Sequence, residues 1–207
     1  MPERRPRLVE PTLDGRHHVT ARLVTLRDER AWAATRLANE AWLAPWEATT
    51  PEPTPGASFR TWVRAVRRQY RAGEALPLVV EFDGRFAGQV SVSGVQRGSI
   101  LSAAIGYWVS REFAGRGITP LAVAMTSDFL FTEWGLHRVE INIRPENAAS
   151  LRVVDKLGFR DEGLRLAYMH IAGAWVDHRS FALTAPEAPG GVVRRLRERT
   201  STWVPEF

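Results

Sequence analysis

Ala114-Gly115-Arg116-Gly117-Ile118-Thr119-Pro120 stands between a strand-like run, Ala103 to Ser110, and an apolar helical run from about Pro120 to Trp134. Two glycines let this backbone take positive φ and approach another group closely. Thr119 is placed to cap the helix, and proline suits a first helical turn. N–H groups left unpaired there, with the positive end of the helix dipole, form a ready site for phosphate or pyrophosphate. A purely structural turn would carry the same residues. The spacing matches neither G-x-x-x-x-G-K-[ST] nor G-x-G-x-x-G.

Downstream, Arg138 to Arg144 reads as a strand. Val139, Ile141 and Ile143 take one face, and Glu140, Asn142 and Arg144 the other. Asn147 falls where a helix N-cap belongs, and a helix from Ala148 to Leu157 points Leu151, Val154 and Leu157 inward before Gly158 stops it. Asn147 and Ser150 admit two readings. They are a cap and a first-turn residue, or Asn147 bonds an amide-rich ligand arm with Ser150 beside its thiol. A two-stranded section from about Leu164 to Thr184 follows.

Upstream, Leu78–Phe82, the Asp83-Gly84 turn and Arg85–Val95 read as a hairpin, and Gly94 and Gly98 bracket a second turn. Asp28 caps a helix through Trp32, Leu37 and Trp42, which Trp42-Leu43-Ala44-Pro45-Trp46 breaks. Pro51, Pro53, Pro55 and Gly56 make a loop. Ser58 opens a helix with Phe59, Trp62, Val63, Val66 and Tyr70 on one face. His18 to Leu26 is the first strand of a domain spanning 18–184. Residues 1–17 form a lead-in, either poorly ordered or an early hairpin turning at Asp14-Gly15. Residues 185–207 form a basic tail with Arg194, Arg195, Arg197 and Arg199, either a short amphipathic helix or disordered. The pattern is an α/β (α+β) chain with a mixed, mostly antiparallel sheet.

At 207 residues, 44% hydrophobic and 25% charged, the chain suits one soluble domain. No run approaches the roughly 20 apolar residues of a membrane span, and the basic start leads into no signal core. A cytoplasmic protein is expected. The absence of cysteine excludes disulfides, thiolate metal sites and a cysteine nucleophile; no metal is expected. The net charge is +5, almost all from arginine, with Lys156 the only lysine. Such a surface favours anionic partners such as CoA phosphates, RNA or the ribosome. No recognised motif accompanies the charge, so dedicated nucleic-acid binding is not expected.

Gly106-Tyr107-Trp108-Val109, Gly115-Arg116-Gly117, Asn147 with Ser150, and Lys156-Leu157-Gly158-Phe159 occur in an order and spacing that resemble the GNAT superfamily. Trp42-Leu43-x-Pro45-Trp46, His137-Arg138-Val139-Glu140 and Gly173-Ala174-Trp175-x-Asp177-His178 resemble the RimJ/RimL group of ribosomal-protein N-terminal acetyltransferases, especially its actinobacterial RimJ-like branch. The resemblance covers roughly residues 18–184. It implies a sheet splayed in a V, flanked by helices, with acetyl-CoA in the gap between the Tyr107–Ser110 and Val139–Arg144 strands. Pantetheine would bond backbone around Trp108 and Val109 and side chains at Asn147 and Ser150. The pyrophosphate would meet Ala114, Gly115, Arg116, Gly117, Ile118 and Thr119. The sequence departs from the family at Ala114 and Thr119, the ends of the [Q/R]-x-x-G-x-[G/A] loop. It departs again at Val154, where many relatives carry a tyrosine acid. Ser150, as in RimL-like enzymes, or water is left to protonate the thiolate.

Without cysteine, the amine attacks the thioester directly. It must be neutral, and the Val109 N–H is the expected oxyanion donor. An α-amine has a pKa of about 8 against about 10.4 for lysine, so neutralising it is easier by about 3 kcal/mol. Glu140 is the preferred base; His170, His178 and water are the alternatives, with His178 paired structurally to Asp177. The expected activity is acetylation of a protein N-terminus beginning with alanine or serine, ribosomal-protein-like, by a monomer or homodimer. The alternatives are acetylation of a small amine, polyamine or aminoglycoside, or a non-catalytic acyl-CoA-binding or ribosome-associated module.

Overall fold

The computed structural model describes residues 6–52 and 56–201. The basic start at Met1–Arg5, the loop prolines Pro53 and Pro55, and the end of the tail from 202 to 207 lie outside the described residues. Eight strands form one sheet: β1 (Arg7–Pro11), β2 (His18–Leu23), β3 (Leu76–Phe82), β4 (Arg85–Gln96), β5 (Ser102–Val109), β6 (Arg138–Ile143), β7 (Arg160–Ile171) and β8 (Ala174–Thr184). Their order is β1-β2-β3-β4-β5-β6-β8-β7. Every pairing is antiparallel except β5 with β6.

That exception makes the site. The parallel pairing lasts only from Ser102↔Arg138 to Ala104↔Glu140, while β5 continues to Val109 and β6 to Ile143. Beyond Ala104 the strands part, and the expected V is present. It divides the sheet into a β1–β5 half and a β6–β8 half.

One face is closed by α4 (Ile118–Thr132) and α5 (Ala148–Leu157). Leu76, Leu78, Val80, Ile105, Val139 and Ile141 pack against Leu121, Leu130, Val154 and Leu157 in the main core. Each such side chain contributes about 1.5–3 kcal/mol of burial free energy. Helix α4 is buried almost all round, so its polar residues bond within the helix: Thr126 Oγ1 donates to Ala122 O at 2.7 Å and Ser127 Oγ to Val123 O at 2.9 Å. The other face is covered only over β2–β4, by α1 (Glu29–Ala38) and α3 (Phe59–Ala72), through Val24, Val63, Val79, Trp62 and Phe86. Its β5–β8 half carries no helix.

Several boundaries differ from the sequence reading. Helix α4 starts at Ile118 with Gly117 as its N-cap, so Thr119 is already inside the first turn. The first helix stops at Ala38, and a short α2 (Glu40–Leu43) follows Asn39. Leu37, near the end of α1, is exposed. Asp28 spends its carboxylate on Thr25 N–H (2.7 Å) and on Arg22, not on capping α1. Strand β7 begins at Arg160, before the expected Leu164.

Both ends of the described chain join the sheet's core. Residues 7–17 form a hairpin arm turning at Asp14-Gly15, with β1 paired along β2. The tail becomes α6 (Val192–Ser201), with Val192 and Leu196 fully buried. Its N-terminal N–H groups are held by Asp128 of α4: Val192 N donates to Oδ1 at 2.6 Å and Val193 N to Oδ2 at 3.1 Å.

Candidate functional site

A continuous trench follows the gap between β5 and β6. One arm, about 320 Å³, is walled by Trp46, Tyr107, Asn142, Met169 and His178. Past Tyr107, Asn147 and Ser150 it opens into a second depression of about 320 Å³ beneath Trp42 and Val109. This shares Trp42, Val109, Thr119 and Val153 with a third, about 220 Å³, at the mouth of the 114–120 loop.

At the loop end, Gly115 (φ 79°) and Gly117 (φ 74°) take the left-handed conformation that side chains resist. Among the described residues, no acceptor in the chain takes the N–H groups of Gly115, Arg116, Gly117, Ile118 or Thr119. These are the orphan donors of a helix start, reinforced by the positive end of a 15-residue helix. The loop is anchored from behind by buried Asn39, which accepts from Arg111 N at 2.8 Å and donates to Ser110 Oγ at 3.1 Å. Arg116 turns away from the mouth, stacked over Phe113 and Phe82 at 5.8 and 6.0 Å. Arg152 and Lys156 of α5 supply the cations there instead.

In the middle, Ser110 N donates to Ala87 O of the neighbouring β4 at 2.8 Å. Backbone direction alternates along a strand, so Val109 presents its N–H and C=O to the gap. Its carbonyl accepts from Trp42 Nε1 at 3.1 Å. Asn147 Oδ1 caps α5 by accepting from Ser150 N at 3.0 Å. Ser150 Oγ has no partner among the described residues. Tyr107 Oη donates to Ser150 O at 3.4 Å, and burial holds its phenol well above the ordinary value, so it is a poor proton source. Val154 is buried in the core beneath the trench, away from its wall. A tyrosine acid has no counterpart at that residue.

The remaining arm places three of the residues read from the sequence in surroundings other than those expected. Glu140 shares a strand face with Asn142 and Arg144, but it lies at the closed end of the V. It is paired to Arg138 at 2.8 Å and Arg165 at 3.2 Å, while Asn142 and Arg144 line the trench. His170 is tied to Thr49, ring to hydroxyl at 2.7 Å, and does not line the arm. Asp177 does not meet His178; it accepts from Ala167 N at 2.7 Å. His178 itself is buried at the floor of the arm, its ring edge-on to Tyr168. Its Nδ1 lies 3.1 Å from Val176 O, which can only accept. The neutral ring therefore carries its proton on Nδ1 and keeps the Nε2 lone pair free. Burial lowers its pKa from the ordinary 6.5.

A strap, residues 44–49, crosses above this floor. Arg144 holds one end through Pro45 O (2.8 Å) and the Trp46 ring (5.6 Å), and Thr49 N bonds His170 O (2.8 Å) at the other.

Residues 18–160 match the family described as Acetyltransferase (GNAT) domain. The chain belongs to the GNAT acetyltransferase family. Mycobacterium smegmatis RimJ, solved in complex with CoA-disulfide, is similar at 38% identity and TM-score 0.85, over 95% of this chain and 94% of that one. The [ribosomal protein uS5]-alanine N-acetyltransferase of Escherichia coli is 28% identical, over 83% of this chain and 91% of its own. A probable N-acetyltransferase of Bacillus subtilis, YjcK, is 38% identical over 105 residues, a match spanning 51% of this chain and 58% of that protein. These relatives support a RimJ/RimL-type GNAT.

As a GNAT, the chain is an acetyl-CoA-dependent N-acetyltransferase, and its trench has the chemistry that cosubstrate needs: unpaired N–H groups and two cations at one end, and a free strand edge in the middle. Arg152 and Lys156 were not singled out from the sequence for this end. Their signal was there: with Ala149 and Val153 they share the α5 face opposite Leu151, Val154 and Leu157. Asn39 gave no local signal for anchoring the loop, because its loop partners lie about 70 residues away in the chain.

Proposed function

We propose that this GNAT acetylates the α-amino group of a protein N-terminus that begins with a small residue such as alanine or serine, in a ribosomal-protein-like substrate. The observation that carries the reading is the wall of the amine arm: it contains no aspartate or glutamate, one arginine (Arg144), and a neutral histidine. A polyamine or aminoglycoside would need carboxylates there. A single α-amine, with a pKa of about 8, needs only a mild base. The name of the uS5-alanine enzyme supports the same substrate class, and such a substrate carries with it a cytoplasmic location. No described helix is long and apolar enough to cross a membrane.

In the proposed reaction the N–H groups of residues 115–119 hold the pyrophosphate, assisted by Arg152 and Lys156. Ala114 shapes the loop, and Trp108, Val109 and Asn147 line the pantetheine path. His178 Nε2 takes a proton from the ammonium. The amine then attacks the thioester carbon, and the oxyanion forms at the Val109 N–H. The carbon–sulfur bond breaks, the thiolate takes a proton from Ser150 Oγ or water, and the proton shed by the acetylated nitrogen restores that oxygen.

Two variants separate these roles. Ser150→Ala lowers kcat about 10²-fold with little change in KM for acetyl-CoA, read from initial rates; an unchanged kcat assigns the proton to water. Arg152→Gln with Lys156→Gln raises KM for acetyl-CoA about tenfold at low salt, since two exposed ion pairs are worth about 1–2 kcal/mol together. Added salt narrows that gap. Substrate class is tested by thiol release with peptides starting in alanine, serine or methionine, an N-blocked lysine peptide, and spermidine. Alanine and serine peptides should lead. Preference for spermidine or the lysine peptide overturns the proposal.

A further inference from the structure

Helix α3, Phe59–Ala72, contains no acidic residue. Its apolar face, Trp62, Val63 and Val66, is already packed on the sheet. Arg60, Arg64, Arg68 and Arg71 are all exposed, and none has a carboxylate partner among the described residues. At 100° per residue these four fall within an arc of about 80°, and at 1.5 Å per residue they form a row about 16 Å long. Neighbours in the row are four or three apart, where like charges repel and weaken a helix. Elsewhere about half of the described arginines pair with a carboxylate, as in Arg22 with Asp28 and Glu81 or Arg138 with Glu140 and Glu162. The unneutralised row is confined to one helix.

We propose that this face of α3 docks on the phosphate backbone of RNA. Four arginines spaced about 4.5–6 Å apart along the helix axis match a repeating anion, and each neutralised phosphate releases condensed counterions. Membrane insertion is disfavoured because the apolar face is already used by the protein's own sheet. Register supports a role in substrate delivery. Val79, under α3, shares a sheet face with Gln89 and Trp108, and that face continues through Ala104 to Glu140 and Asn142 beside the amine arm. The row and the amine arm therefore open on the same side. The choice of RNA over DNA rests on the proposed ribosomal-protein substrate. RNA binding is measured without peptide and acetylation without RNA, so either reading can fail alone.

The test is fluorescence anisotropy of the full chain with labelled oligouridylate. Equal-length single-stranded DNA, polyglutamate and phosphatidylserine vesicles serve as competing arms. Four phosphate contacts on a single strand predict a salt slope of about −2.8, which is about 50-fold weaker binding on going from about 50 to about 200 mM salt. In the variant carrying Arg64→Gln and Arg68→Gln the slope should halve, to about 7-fold over the same range, with thiol release on a free peptide unchanged. A charge-matched control, Arg7→Gln with Arg16→Gln, should keep the full slope. The proposal is overturned by equal loss in both variants, by tighter binding to polyglutamate or vesicles, or by no preference for RNA over DNA.

Discussion

Replacing His178 with glutamine is expected to lower kcat/KM for an alanine-initiated peptide by about 10²- to 10³-fold while leaving KM for acetyl-CoA near its original value. The ring sits on the floor of the amine arm, and its Nδ1 proton is committed to Val176 O, so Nε2 is the available lone pair. Burial is the main cause of its lowered pKa. The ring is therefore neutral around pH 7, and activity falls as acidification passes through that lowered value. In the glutamine variant this acid limb disappears, and only ionisation of the substrate amine remains. Stability follows the same shift. The unfolded chain takes up the proton from about pH 6.5 downward and the folded chain resists it, so the wild type loses stability as pH falls below about 6.5 and the variant lacks that component. A glutamine variant within threefold of wild type, with the acid limb intact, removes His178 from the mechanism.

Gly88→Ala is expected to cost about 3 kcal/mol or more and to abolish most activity in what remains folded. A Cβ at Gly88 would lie 2.2 Å from Trp108 O, 2.9 Å from Val109 Cα and 3.1 Å from Trp108 C. All three are backbone atoms, so no side chain can rotate away. Because Gly88 pairs directly with Val109, β4 and β5 must separate where Val109 presents its N–H to the gap. Losing one oxyanion donor costs about 10²- to 10³-fold in kcat. Urea unfolding and thiol release read the two effects. Gly106→Ala, on the neighbouring β5 and with open space around its Cβ, is the stability control. A Gly88→Ala variant with wild-type midpoint and rate would contradict the close strand approach on which the proposed oxyanion site depends.

What the sequence revealed was mostly local chemistry. Asn147 as a cap, Gly158 as a stop and the alternation along β6 each depend on neighbours within a few residues, and the structure has all three. Thr119 was a plausible cap for the same local reason, but Gly117 can take the left-handed turn and start the helix earlier. Glu140 shows the limit. Its strand face follows from period two, but its depth depends on where the β5–β6 pairing ends and on Arg165 arriving from another strand. The His178–Asp177 pairing could have been rejected from sequence, because adjacent strand residues point to opposite faces. The place of His178 in the trench could not be read locally. It follows from β8 lying beside β6, with Ser180 bonded to Asn142 at 2.6 Å.

The most direct test is an internal competition on one peptide that starts with alanine and also carries a lysine, incubated with acetyl-CoA and sequenced by tandem mass spectrometry. An arm without carboxylates and with a histidine base predicts a single acetyl group on the α-nitrogen and an unmodified lysine. Acetyl on the lysine Nε, with the N-terminus left free, would contradict the account.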